Sequence, residues 1–122
     1  WVPHYMYRMD HAYKRHRYWL PPGQELSKLP SEYFSESIYT TFQDDWVAFK
    51  MVDHVNHKRL LWANDFPHSD STWPWSQELL DEHAAHLTSE QSIDILCNNV
   101  AELYGIDTSE LPIGGDSLAA TV

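Results

Sequence analysis

The chain has 122 residues, enough for one small domain with a real core and short for two. Its net charge of −10 argues against nucleic acid as the main partner. The single cysteine, Cys97, leaves no internal disulfide framework and no cysteine zinc cluster, and it suits a reducing, cytoplasmic setting. No apolar run approaches the roughly 20 residues that span a membrane, and no charged stretch leads into an apolar one as in a signal segment. Trp1 opens the chain abruptly, and the expectation is a piece of a longer reading frame.

The charge is uneven. Arg8, Lys14, Arg15 and Arg17 against Asp10 give the first 20 residues a net +3 and leave −13 for the rest. A solvated helix face accounts for this basic cluster better than an anionic ligand does. Six Trp, seven Tyr and four Phe make the chain too aromatic for a disordered tail.

Pro3 suits a first helical turn. Val2, Met6, Met9 and Tyr13 recur at spacings of 4, 3 and 4, one helical face. Pro21-Pro22-Gly23 breaks that helix, residues 21–30 read as loop, and Ser31 to Phe34 as a short helical turn. Ser37 to Phe42 is rich in β-branched and aromatic types and reads as a strand. Asp44 or Asp45 caps a following helix with a stripe of Val47, Met51 and Val55. Arg59 to Ala63 is the next strand, and residues 64–75 form a long loop with Pro67 and Pro74.

Ser76 reads as the N-cap of a helix presenting Leu80, Ala84 and Leu87. Thr88 and Gln91 form a capping box for a helix carrying Ile93, Leu96, Val100 and Leu103, and Gly105 ends it. Asp107 to Val122 has little periodicity and reads as a loose tail, so the domain proper is residues 1–106 and the tail 107–122. Alternating β and α elements favour parallel strands joined by right-handed crossovers. Two parallel strands are a minimal sheet and a poor independent fold.

The chemistry concentrates at Leu60-Leu61-Trp62-Ala63-Asn64-Asp65-Phe66-Pro67-His68. An apolar run fit for a strand covered on both faces ends in a carboxylate. Asp65 therefore stands where α/β enzymes place their chemistry, as a metal ligand or proton acceptor. Asn64-Asp65 is equally good turn chemistry, and the local sequence does not choose. His68 is balanced between an acid, base or ligand role and a surface loop. Trp73-Pro74-Trp75 suits the wall of a pocket, although packing of the loop explains it better. His54-x-x-His57 and His83-x-x-His86 are weak metal signals, and Cys97 reads as packing. There is no glycine-rich phosphate loop and no Gly-x-Ser-x-Gly, which disfavours nucleotide enzymes and serine hydrolases.

Arg59 to His68, with Ser69 to Pro74 after it, resembles the last barrel strand and loop of the amidohydrolase-related superfamily, where an apolar run leads to Gly-Ser/Thr-Asp, an aromatic residue and Pro-His. Trp1 to Asp10 resembles the segment after an active-site strand, Ile38 to Asp45 the next strand, and Asn98 to Gly105 the closing helix. The likeness covers about residues 1–106 and is greatest to the branch of α-amino-β-carboxymuconate-semialdehyde decarboxylase. Ala63-Asn64 departs from the usual Gly-Ser or Gly-Thr, which removes a hydroxyl contact.

The resemblance implies the C-terminal part of a (β/α)8 barrel, a fold that takes about 250 residues. It implies a divalent metal, commonly zinc, held by a His-x-His pair, a third His and the Asp matched here by Asp65. The histidines would lie upstream of Trp1. The resemblance also implies hydrolysis or decarboxylation of a small-molecule substrate lined by His68 and Trp73, with Arg8 a weaker candidate for gripping a substrate carboxylate. A homodimer of the full-length protein is a further expectation. The competing reading is a non-catalytic barrel remnant. A third is a metal module of His54, His57, His83 and His86.

Overall fold

The computed structural model describes residues 1–109. Helix α1 (Val2–His16) is followed by a 3-10 turn at Arg17–Trp19, and α2 spans Pro30–Ser37. Strand β1 (Thr40–Phe42) leads to α3 (Trp46–Lys50) and two more 3-10 turns, then β2 (Leu60–Trp62). After a long loop come α4 (Ser76–His83), α5 (Ser89–Ile93), one π turn (Asp94–Asn98) and α6 (Asn99–Tyr104). β1 and β2 pair in parallel, with Thr40 opposite Leu60 and Phe42 opposite Trp62. The expected pair of parallel strands with flanking helices is present, and a barrel is not closed by these two strands. Most of the tail expected over 107–122 lies outside the described residues.

Several elements form for local reasons. Pro30 sits in the first turn of α2, where its missing N–H costs nothing, and Glu32 reaches back to accept the Leu29 N–H at 2.7 Å. These signals carry helix through Ser37, so the strand expected from Ser37 starts at Thr40. The Asp45 side chain accepts the Ala48 N–H at 3.0 Å and caps α3. Thr88 and Gln91 exchange hydrogen bonds of 3.1 and 3.0 Å, the expected capping box. Gly105 adopts φ +66°, the left-handed conformation that closes α6.

Tertiary packing shifts two helix faces and one cap. The core is Phe49, Val52, Leu60 and Ile95, with Phe42, Trp62, Leu80, Ala84, Leu87 and Leu96 packed against it. α3 stops at Lys50 and tightens into a 3-10 turn, so Phe49 and Val52 are the buried residues; of the expected Val47, Met51, Val55 stripe, Val55 packs against the core, Met51 is half-buried and Val47 is exposed. Ser76 lies inside α4 behind the cap residue Trp75, and its hydroxyl pairs with Thr72 Oγ1 at 2.8 Å. The π turn inserts an extra residue into the run from Ser89 to Tyr104 and rotates the residues after it by about 100°. Ile95, Asn99 and Ala101 are therefore buried, while the expected Leu103 is exposed.

α1 packs on α2 through Asp10, which accepts the Ser31 N–H at 2.9 Å and its hydroxyl at 2.8 Å. Of the expected α1 face, Val2 is buried and Met6, Met9 and Tyr13 are half-buried. No helix among the described residues is long and apolar enough to cross a membrane.

Candidate functional site

β2 is an anchored strand. Leu60 and Leu61 are both buried, so both faces of it are covered. The chain leaves the strand at Ala63, whose N–H donates to the Phe42 carbonyl at 3.0 Å. Two residues later Asp65 takes φ +60°, the one left-handed non-glycine residue among those described. Asp tolerates this conformation better than most side chains because its short polar group bonds locally. The turn is closed by the His68 N–H donating to the Asp65 carbonyl at 2.8 Å. Asn64 Oδ1 also accepts the Phe66 N–H at 3.1 Å. Both the turn role and the exposure needed for chemistry are thus present in the same residue.

The Asp65 and His68 side chains meet. Asp65 Oδ2 lies 3.2 Å from His68 Nδ1, and both side chains are at least half exposed. The Asp70 N–H lies 3.3 Å from the same nitrogen. Nδ1 serves one partner at a time: carrying a proton it donates to Asp65, and without one it accepts from Asp70. The other ring nitrogen, Nε2, has no hydrogen-bond partner among the described residues.

The loop is pinned at its base. The Thr72 N–H donates to the Asn64 carbonyl at 3.1 Å, and Thr72 is itself buried. Gln43 Nε2 donates to Asp70 Oδ2 at 3.1 Å, tying the loop to the end of β1. Trp73 is exposed and stands edge-on to Phe66, ring centres 6.1 Å apart. On the other side of the loop is an open cleft of about 380 Å³ lined by Asp44, Asp70, Thr72, Trp75, Glu78 and Glu82. Four carboxylates make it unfavourable to anions, and neither Asp65 nor His68 lines it.

Arg8 stands apart. It is exposed on α1, and among the described residues no hydrogen bond or ion pair joins it to Asp65, His68 or Trp73. The structure thus brings Asp65 and His68 together, places Trp73 on the same loop, and leaves Arg8 on a separate helix.

The histidine pairs do not converge. His54 is exposed at the end of a 3-10 turn, while His57 Nε2 donates to Asp94 Oδ2 at 3.1 Å. His86 Nε2 donates to the Phe49 carbonyl at 3.0 Å, so its Nδ1 is the acceptor facing Lys50 Nζ at 3.3 Å. His83 Nδ1 lies 3.9 Å from Asp44 Oδ1, too far for a hydrogen bond. What gathers instead is His57, Glu90 and Asp94, whose ligand atoms lie within 4.8 Å of one another. Glu90 and Asp94 are four apart on the last helix, a spacing visible in the sequence. Their approach to His57 is a tertiary contact that no local signal announces.

The amidohydrolase family model matches residues 3–106, and the chain belongs to that family. No curated protein matches the chain closely enough to name a nearer relative. Members of the family are generally enzymes, typically metal-dependent, and their expected architecture is a barrel to which β1 and β2 would contribute. For a metal at Asp65, the donor chemistry fits in part. The carboxylate is exposed at the carboxyl end of β2, and Oδ1 has no partner among the described residues. It is one ligand, and no second histidine or carboxylate besides His68 pairs with it among them.

Proposed function

We propose that this chain supplies one metal-binding carboxylate, Asp65, to an amidohydrolase-type enzyme that hydrolyses or decarboxylates a small carboxylated or aromatic substrate. The observation that carries the reading is Asp65 itself. It is held at φ +60° where a doubly covered parallel strand ends, with His68 at 3.2 Å. Uncommon backbone conformations of this kind concentrate at functional sites.

When bound, a divalent ion, zinc by the family likeness, supplies a Lewis acid and a water of lowered pKa. The protein's own residues do the rest. Asp65 would hold the ion. His68 is oriented through Nδ1 and presents Nε2 to exchange a proton with substrate. Phe66 and Trp73 wall the mouth and restrict water. Arg8, whose guanidinium is unpaired among the described residues, would grip a substrate carboxylate in the whole protein. Kinship with the α-amino-β-carboxymuconate-semialdehyde decarboxylase branch is supported by the Asp-Phe-Pro-His run, and a cytoplasmic setting by the lone cysteine. We propose a second copy of the protein as its partner, in line with the exposed aromatics Trp1, Tyr5 and Trp19.

A second reading has its own observation. The sheet has two strands, and α1 carries large aromatics in solvent, as in a barrel segment without catalysis of its own. One experiment separates the two. The whole protein and its Asp65→Asn variant are compared for bound divalent metal and for turnover of small amides, esters and aromatic acids. Loss of both in the variant supports the catalytic reading. Unchanged metal content and turnover would sink it.

A further inference from the structure

We infer that His57, Glu90 and Asp94 form a second divalent-cation site, at the opposite end of β2 from Asp65, that locks the last helix to the start of the strand. His57 precedes β2 and Asp65 comes after it. The strand between them rises about 3.3 Å per residue, so the two loci are on the order of 10 Å or more apart.

The three side chains offer one imidazole nitrogen and two carboxylates, a donor set that suits zinc and its neighbours in the first transition row. Two of the three are already placed. His57 Nε2 and Asp94 Oδ2 are 3.1 Å apart, close to the roughly 3.4 Å between ligand atoms in a tetrahedral shell with bonds of about 2.1 Å. Asp94 is aimed from behind: Asn98 Nδ2 donates to its Oδ1 at 2.9 Å, which leaves Oδ2 facing His57. A hydrogen bond of this kind on the far oxygen orients metal-binding carboxylates. Asp94 is 8% exposed, so its charge is poorly hydrated and an ion would offset that cost.

Glu90 completes the set from the surface. Its side chain is 71% exposed and its one cationic neighbour, Lys58 Nζ, lies 4.0 Å away. A swing of about 1–1.5 Å brings its carboxylate into the shell, and an exposed glutamate makes such a move at little cost. The π turn begins at Asp94. Irregular turns of this type recur at functional sites because they re-aim side chains. On binding, His57 Nε2 gives up its proton to solvent and its lone pair to the ion. Water fills the remaining positions.

The inference stands independently of the role proposed for Asp65. Its test uses zinc alone with the whole protein, stripped of metal and then equilibrated with Zn2+. Bound equivalents and affinity are read by elemental analysis and calorimetry in an Asp65→Asn background, which removes the carboxylate proposed for the first site and keeps its left-handed turn. The expected result is one equivalent that depends on His57 and Glu90 and raises the melting temperature. His57→Gln should abolish it, and Glu90→Gln should weaken it at least about tenfold. An equivalent held by the upstream histidines that the family likeness implies would be untouched by either change. Glu90 is a surface residue, so its variant keeps the test informative if His57→Gln does not fold. A folded Asp65→Asn protein that binds no zinc would overturn the inference. So would zinc binding in which no equivalent responds to Glu90→Gln.

Discussion

The amino end of β2 is closed and the carboxyl end is open. Before the strand, Asn99 is 2% exposed and spends both amide protons on the chain, donating to the carbonyls of His57 at 2.7 Å and Leu60 at 2.8 Å. Asp94 and His57 are paired beside it. After the strand, Asp65 and His68 touch each other but face solvent, and Phe66, Trp73 and Trp75 stand exposed around them. A polar group buried without partners costs stability, so the closed end satisfies its groups and becomes rigid. The open end leaves acceptors and a ring nitrogen free. That difference is what barrel enzymes show, with stability at one face and chemistry at the other.

Substitutions can break the contrast. Phe49→Ala, in the core beneath the strand, should cost the most, about 3–5 kcal/mol in a denaturant titration. Asn99→Ala removes one donor each from the His57 and Leu60 carbonyls, the former keeping the Leu60 N–H, and should cost about 1–2 kcal/mol. A loss under about 1 kcal/mol would mean that water replaces the amide and that the closed end is looser than its hydrogen bonds imply.

Asp65→Asn tests the other end. Asparagine also tolerates the left-handed conformation, so stability should move by less than about 0.5 kcal/mol. Turnover should fall at least about a hundredfold, since even indirect supports of metal ligands cost roughly 10–100-fold. A large loss of stability with normal turnover would reverse the assignment of the two ends.

Thr88→Ala removes the cap that starts the last helix and should cost about 1 kcal/mol. The smallest effect is expected at Lys28. Hydrogen bonding to Glu36 raises its pKa above the ordinary 10.5. Its contribution is therefore present at neutral pH and lost only as pH climbs through the raised value. The pair is exposed and screened by water and salt. Melting temperature should hardly differ between Lys28→Ala and the parent at pH 7.

Legibility from the sequence tracks the range of the interaction. The Thr88–Gln91 box, the Gly105 stop, the Asp45 cap and the break at Pro21-Pro22-Gly23 each depend on residues within a turn of one another, and each is readable. The turn expected at Ser31 to Phe34 is readable as helix, but the helix runs from Pro30 to Ser37, longer than that stretch announces, which displaces the start of β1. The buried face of the last helix differs from its periodicity because a π turn rotates it by one residue. No composition signal marks that turn. Asp65 and His68 are legible because both lie in one short run after a strand. The approach of His57 to Asp94 spans 37 residues and is invisible. The two histidine pairs, plausible by spacing, are dissolved by the packing of their elements.

By itself the sequence determined the order of helices and strands, the caps at Asp45, Thr88 and Gly105, and the carboxylate that comes after the second strand. These rest on backbone sterics and hydrogen bonds between near neighbours, which the chain carries wherever it goes. Tertiary structure alone decided which faces are buried, that Asn99 clasps the start of β2, and that His57 meets Glu90 and Asp94. Those outcomes depend on close packing between distant segments, where a rotation of one residue exchanges a core position for a surface one.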